Sequence, residues 1–233
     1  MYIFCRYHIN RAFEQTMEKI PLQARLKREF HRKIAYAQDM IVKEVYSIFN
    51  KAVLHGGTGI WRCYNGRRFS EDLDFYFPKN NEKLNLLFEN LKKIGFLIKK
   101  KKISENSVYS ELEIDRTSVR LEGTFQNISG VICDYEMSDG NIFSIYSLAS
   151  ERFIAEKANT YLKRYKIRDL WDVFFLLKNI ENPQKIREIG MLIKGYKKPN
   201  DEEDLKVLLL EGITPSADEM IGYIKRKWEN KYT

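Results

Sequence analysis

Leu54-His55-Gly56-Gly57-Thr58, followed after a short spacer by Arg67-Arg68-Phe69-Ser70-Glu71-Asp72-Leu73-Asp74-Phe75, is the most informative stretch of the chain. Asp72 and Asp74 stand two residues apart in a segment of alternating hydrophobicity, so in a strand both side chains project from one face. Two carboxylates so placed can share one or two divalent cations. Magnesium takes carboxylate oxygens together with substrate phosphate oxygens, and a pair of metals roughly 3.5–4 Å apart suits phosphoryl transfer. The Gly-Gly-Thr turn supplies the complementary part. Without side chains at Gly56 and Gly57, backbone N–H groups can approach phosphate oxygens, and a following helix N-terminus adds a favourable field. Thr58, Arg68 and Ser70 join the two glycines as candidate phosphate-binding residues. An isolated Asp-x-Asp also arises on any exposed strand edge, so the weight lies on the combination.

That combination resembles the nucleotidyltransferases of the DNA polymerase beta-like superfamily, whose signature is Gly-Gly or Gly-Ser followed at a distance by Asp-x-Asp. The run GGTGIWRCYNGRRFSEDLDF, residues 56–75, is closer still to the AbiEii-type toxin family, in which a GGTA-like turn and Arg-Phe-Ser-x-Asp-x-Asp recur at this spacing. The resemblance covers residues 50–180. It implies transfer of a nucleoside monophosphate from an NTP with Mg2+ (or Mn2+), and release of pyrophosphate. The acceptor it favours is RNA, in particular a tRNA 3′ end, with the chain acting as the toxin of a toxin–antitoxin pair beside a cognate antitoxin. Two alternatives stay open: transfer onto a protein or small-molecule acceptor, and a catalytically idle module that binds nucleotide or RNA.

A two-metal site of this kind needs a third carboxylate on a neighbouring strand. Glu122 is the candidate. In Ser118-Val119-Arg120-Leu121-Glu122-Gly123-Thr124-Phe125 the alternation puts Arg120, Glu122 and Thr124 on one face and Val119 and Leu121 on the other. Glu113 is the rival. The resembling family usually presents Asp at the position of Glu122, so this chain departs from the pattern.

A second feature is SLASERFIAEKANTYLKRYKIRDLWDVFFLL, residues 147–177. Lys157, Tyr161, Arg164 and Arg168 are spaced to share one helical face, which suits a triphosphate: Lys as a compact charge, Arg as a bidentate clamp. Glu156-Lys157 and Arg168-Asp169-x-x-Asp172 resemble the family's second signature, which implies that Lys157 meets the nucleotide phosphates. Asp169, counted among the catalytic residues, and Asp172 can orient Lys157 or Arg164. Exposed charges in i, i+4 pairs are the plain alternative. Leu170, Trp171 and Val173 to Leu177 read as core.

The remaining sequence frames these motifs. The 233 residues, 44% of them hydrophobic, suffice for one large domain or two small ones. No run reaches the about 18 apolar residues of a membrane span, and MYIFCRYHIN lacks the layout of a signal peptide, so a cytoplasmic protein without a membrane partner is expected. Cys5, Cys63 and Cys133 show neither disulfide nor zinc spacing and are expected to be buried thiols. A net charge of +8 favours polyanionic partners, nucleic acid above all, although a Lys- and Glu-rich surface laced with ion pairs gives the same balance. Lys99 to Lys102 read either as a phosphate contact or as a lysine-blunted edge strand. His8, His31 and His55 are scattered; His55 abuts the Gly-Gly turn.

Periodicity predicts an α+β fold with a small mixed or antiparallel sheet. Leu22, Leu26, Phe30, Ile34 and Ala37 form one helical stripe, with Pro21 in a first turn. Short strands are predicted at 51–55, 72–77, 96–102, 108–114, 118–125, 128–135 and 142–145, those from 96 onward, joined by short connections, as antiparallel neighbours. A helix is predicted from Thr58 to Tyr64. Ser147 is predicted to cap a long helix through Tyr165, and a boundary near 146 divides a core of residues 1–146 from a helical part of residues 147–233.

Overall fold

The structure, a computed structural model, describes residues 20–229. Its centre is a seven-stranded mixed sheet built from β1 (Val53–His55), β2 (Leu73–Phe77), β3 (Leu97–Ile103), β4 (Ser107–Ile114), β5 (Thr117–Phe125), β6 (Val131–Glu136) and β7 (Ile142–Ser147), in the order β3-β4-β5-β2-β1-β7-β6. β2 runs antiparallel to β1 and parallel to β5, and β1 runs parallel to β7. The strands nearest the two motifs are therefore the middle of the sheet.

Helices cover both faces. α1 (Leu22–Arg25), α2 (Glu29–Ile48), α3 (Gly56–Cys63) and α4 (Asn81–Lys93) come before or between the early strands. α5 (Ser150–Arg164), α6 (Ile167–Leu177), α7 (Arg187–Gly195), α8 (Leu205–Leu208) and α9 (Ala217–Glu229) follow the last one. Neighbouring residues of β1 point to opposite faces and enter different hydrophobic clusters. Leu54 joins Ile34, Ile41 and Val45 of α2, Phe75 of β2 and Leu84 of α4. Val53 joins Ile60 of α3 with Phe153, Tyr161, Leu170 and Ile224 of the later helices. Local signals mark the element ends. Asn80 Oδ1 accepts from Lys83 N at 2.9 Å and caps α4. Asp115 and Arg116, with φ of 47° and 60°, form the two-residue turn between β4 and β5.

Four expectations need correction. The stripe from Leu22 to Ala37 is not one helix: the chain opens between Arg25 and Glu29, so Phe30 is 54% exposed while Leu22, Leu26 and Ile34 are buried. β5 and β6 are not neighbours. β5 pairs with β2 and β4, and β6 lies at the far edge, because loop length alone does not encode a return to another part of the sheet. Ser147 caps no helix; it ends β7, buried, with Oγ donating to Leu54 O at 2.8 Å. α3 starts at Gly56, two residues before the predicted Thr58. Cys5, His8 and part of the first predicted helix lie outside the described residues. Cys63 and Cys133 are half-buried and free, and among the described residues no helix is long and apolar enough to cross a membrane.

Candidate active site

The parallel pairing of β2 with β5 sets Asp74 directly beside Glu122, and the antiparallel pairing of β1 with β2 sets His55 beside Asp74. Both motifs thus meet at one end of three adjacent strands. Asp72, Asp74, Glu122, Gly56 and Gly57 line one cavity of about 610 Å³ with Arg68, Ser70, Lys157, Arg164 and Arg168. The rival Glu113 lies elsewhere. It pairs with Ser118, and Lys99 Nζ stands 3.3 Å from its Oε1.

Asp74 is a buried acid under electrostatic stress. Burial first, and then the neighbouring Glu122 charge, push its pKa up to about 6. The glycine turn is shaped around it. Gly56 has φ +69°, and a Cβ there would sit 2.0 Å from Asp74 Oδ2; a Cβ on Gly57 would meet Arg68 Nη2 and Ser70 Oγ, each at 2.6 Å. The missing side chains therefore make room for the acid and the Arg-Phe-Ser segment. Thr58 does not reach the cavity. It is fully buried, and its Oγ1 donates to Asp72 O at 2.5 Å, bracing the backbone that carries the acid pair. Gln38 of α2 helps by donating to Ser70 O at 2.9 Å.

The opposite wall is a chain of alternating charges. Arg68 forks onto Asp172, both bonds 2.9 Å. Lys157 Nζ lies 2.8 Å from Asp172 Oδ2 and 3.7 Å from Asp169 Oδ1. Arg164 forks onto Asp169 at 2.7 and 2.8 Å. Burial alone would raise the Asp172 pKa, but Arg68 and Lys157 together hold it below the usual carboxylate range. Asp169 and Asp172 are almost wholly buried and lie behind the cavity surface, so they position cations rather than face a substrate. Lys157, Lys163, Arg164 and Arg168 present the positive surface.

The predicted stripe is realised only in part. Tyr161 turns into the core, where its hydroxyl donates to Lys197 O at 2.5 Å and its ring stacks on Tyr196. α5 stops at Tyr165, which adopts the left-handed conformation at φ 51°, so Arg168 reaches the cavity from α6. Two features escaped the sequence reading. Arg120 pairs with Asp72 through both guanidinium and carboxylate ends. His55 stacks on Tyr76 at 3.8 Å, and Tyr76 donates to Glu156 at 3.2 Å, forming an aromatic wall of the same cavity. Burial, followed by the Lys157 charge, lowers the His55 pKa to about 3, so His55 is neutral and its 3.8 Å approach to Glu156 is no ion pair at pH 7. His31 stacks on Phe69 away from the acids.

Among the described residues no three His, Cys, Asp or Glu side chains are gathered into a ready-made metal cluster. The donor set nevertheless fits a hard cation of the magnesium type, which binds through one or two carboxylates and completes its shell with phosphate oxygens and water. Asp74 and Glu122 are adjacent hard oxygen donors whose mutual repulsion a cation would relieve.

The model of the nucleotidyl transferase AbiEii toxins of type IV toxin–antitoxin systems matches residues 45–228. The chain belongs to the AbiEii nucleotidyltransferase toxin family. Two solved structures share the fold. The nucleotidyltransferase toxin MenT4 (Rv2826c) of Mycobacterium tuberculosis H37Rv aligns with a TM-score of 0.60 at 17% identity, over 86% of this chain and 83% of that one. JHP933 of Helicobacter pylori aligns at 0.56 with 19% identity, over 84% and 90% of the two chains. No curated protein sequence matches this AbiEii-family chain.

Proposed function

We propose that this AbiEii-family protein moves a nucleoside monophosphate from an NTP to the 3′ end of an RNA, a tRNA acceptor end in particular, with a divalent cation held by Asp72, Asp74 and Glu122. The observation that carries this reading is the pairing, across one cavity, of the β2 and β5 acids with the cationic wall of α5 and α6. Such a cation would polarise phosphate oxygens and lower the pKa of the attacking hydroxyl. Lys157, oriented by Asp169 and Asp172, meets the triphosphate, and Arg164 and Arg168 clamp it. Arg68, locked on Asp172, shapes the floor with Ser70 beside Gly57. The net charge of +8 supports a polyanionic acceptor.

The decisive experiment incubates the protein with each α-labelled NTP, Mg2+ or Mn2+, and total RNA or cell lysate. Label is expected in RNA of tRNA size. Label in protein or in small molecules would move the acceptor to those classes, and no transfer at all would leave a binding module. Asp72→Ala and Asp74→Ala are each expected to abolish transfer with the circular dichroism spectrum unchanged. Retained activity in both variants overturns the assignment.

A further inference from the structure

Asp72 is engaged at both carboxylate oxygens by one guanidinium. Arg120 stands two residues before Glu122 on β5, and its guanidinium donates from Nε to Asp72 Oδ1 at 2.7 Å and from Nη2 to Oδ2 at 2.5 Å. A carboxylate held in such a fork has its best lone pairs committed to N–H donors and withdrawn from a cation. Asp72 lines the same cavity as Asp74, which Glu122 adjoins on the neighbouring strand. The holder is loosely held itself. The Arg120 side chain is 49% exposed against 28% for Asp72, and both residues line the cavity. Exposed ion pairs separate at little cost. A phosphate accepts the same planar fork with more charge than a carboxylate.

We propose that Arg120 gates the metal site, keeping Asp72 from a divalent cation until the phosphates of an incoming nucleoside triphosphate take over its guanidinium. Metal and nucleotide then load together, and the empty enzyme has a low affinity for the cation alone. The inference rests on the metal-dependent reading of the same cavity and adds a residue that governs the order of loading.

The test is a Mn2+ titration without nucleotide, free Mn2+ being followed by electron paramagnetic resonance, on the native chain and on Arg120→Gln, Arg120→Lys and Asp72→Asn. Both Arg120 variants are expected to bind Mn2+ about two- to fivefold more tightly than the native chain, the gain from removing one exposed bidentate pair. Arg120→Lys separates the fork from the charge. Tightening in Arg120→Gln but not in Arg120→Lys would reduce Arg120 to a general field effect and overturn the gate. Equal affinity in the native chain and both Arg120 variants, with weaker binding in Asp72→Asn, would overturn the gate and leave the metal site standing. Absence of Mn2+ binding in all four proteins would overturn both. In a second arm, inorganic tripolyphosphate in excess chelator is titrated into the native chain and Arg120→Gln. Several-fold weaker binding by the variant is expected, and unchanged binding would overturn the handover to phosphate.

Discussion

At the scale of the residue, Asp74 shows what the site costs the fold. Its pKa is about 6 in the folded chain against 3.8 for an ordinary aspartate, so the native state prefers the protonated form. A group raised in this way adds stability below its unfolded pKa and loses that contribution as pH rises through the folded value. Above pH 6 the ionised carboxylate is therefore a burden, on the order of 3 kcal/mol. Asp74→Asn is expected to melt at a higher temperature than the native chain at pH 8 in chelator, with the advantage gone at pH 4; a gain of equal size at both pH values would refute the cause given. Asp172 behaves oppositely, since Arg68 and Lys157 both depend on it. Asp172→Asn strands the buried Arg68 guanidinium and loosens Lys157, and is expected to destabilise by about 3–5 kcal/mol, read as a lowered denaturant midpoint. Much of this was legible beforehand. Alternation along β5 picked out Glu122, because a strand exposes every second residue whatever its partner. The fork from Arg120 to Asp72 was not legible, because no local pattern tells which of many cations turns onto a given acid 48 positions away.

At the scale of the element, the turn from β1 into α3 governs the site. Gly56→Ala removes no chemical group, yet it must accommodate φ +69° and a Cβ on top of the Asp74 carboxylate. The change is expected to cost about 1–3 kcal/mol and to lower metal affinity together with stability. Wild-type Mn2+ affinity in Gly56→Ala would show that Asp74 does not need that space. The Gly-Gly signal was readable from sequence; what spacing did not tell is that the space above the glycines also holds Asp74, Arg68 and Ser70. The α5 stripe failed at Tyr161 for a related reason. Spacing of four defines a helix face but not its limits, and here the core reaches as far as Tyr161 while Lys157 crosses the margin on its flexible stem.

At the scale of the whole molecule, the two hydrophobic clusters lie on opposite faces of the sheet, one drawn from residues 22–145 and the other from residues 148–224 joined by Val53 and Ile60. Val53 and Ile60 belong to the cluster built mainly by α5 to α9. A fragment ending at residue 146 leaves those side chains uncovered and is expected to aggregate, which light scattering after expression will show; a monomeric, cooperatively melting fragment would contradict this. The sheet order could not be read from loop lengths, because the return of β5 to β2 is a long-range choice made by the interior. Both clusters seize β1, a strand of three residues from Val53 to His55, one through Val53 and the other through Leu54. Its amides therefore have no private route to solvent. Deuterium uptake at Leu54, whose N–H donates to Tyr46 Oη at 3.3 Å, is expected to require opening of the entire molecule and to be as slow as the slowest core amides. The strand that delivers the glycine turn then lives as long as the folded protein, so warming should bring an abrupt loss of activity at the melting transition, with no gradual decline before it.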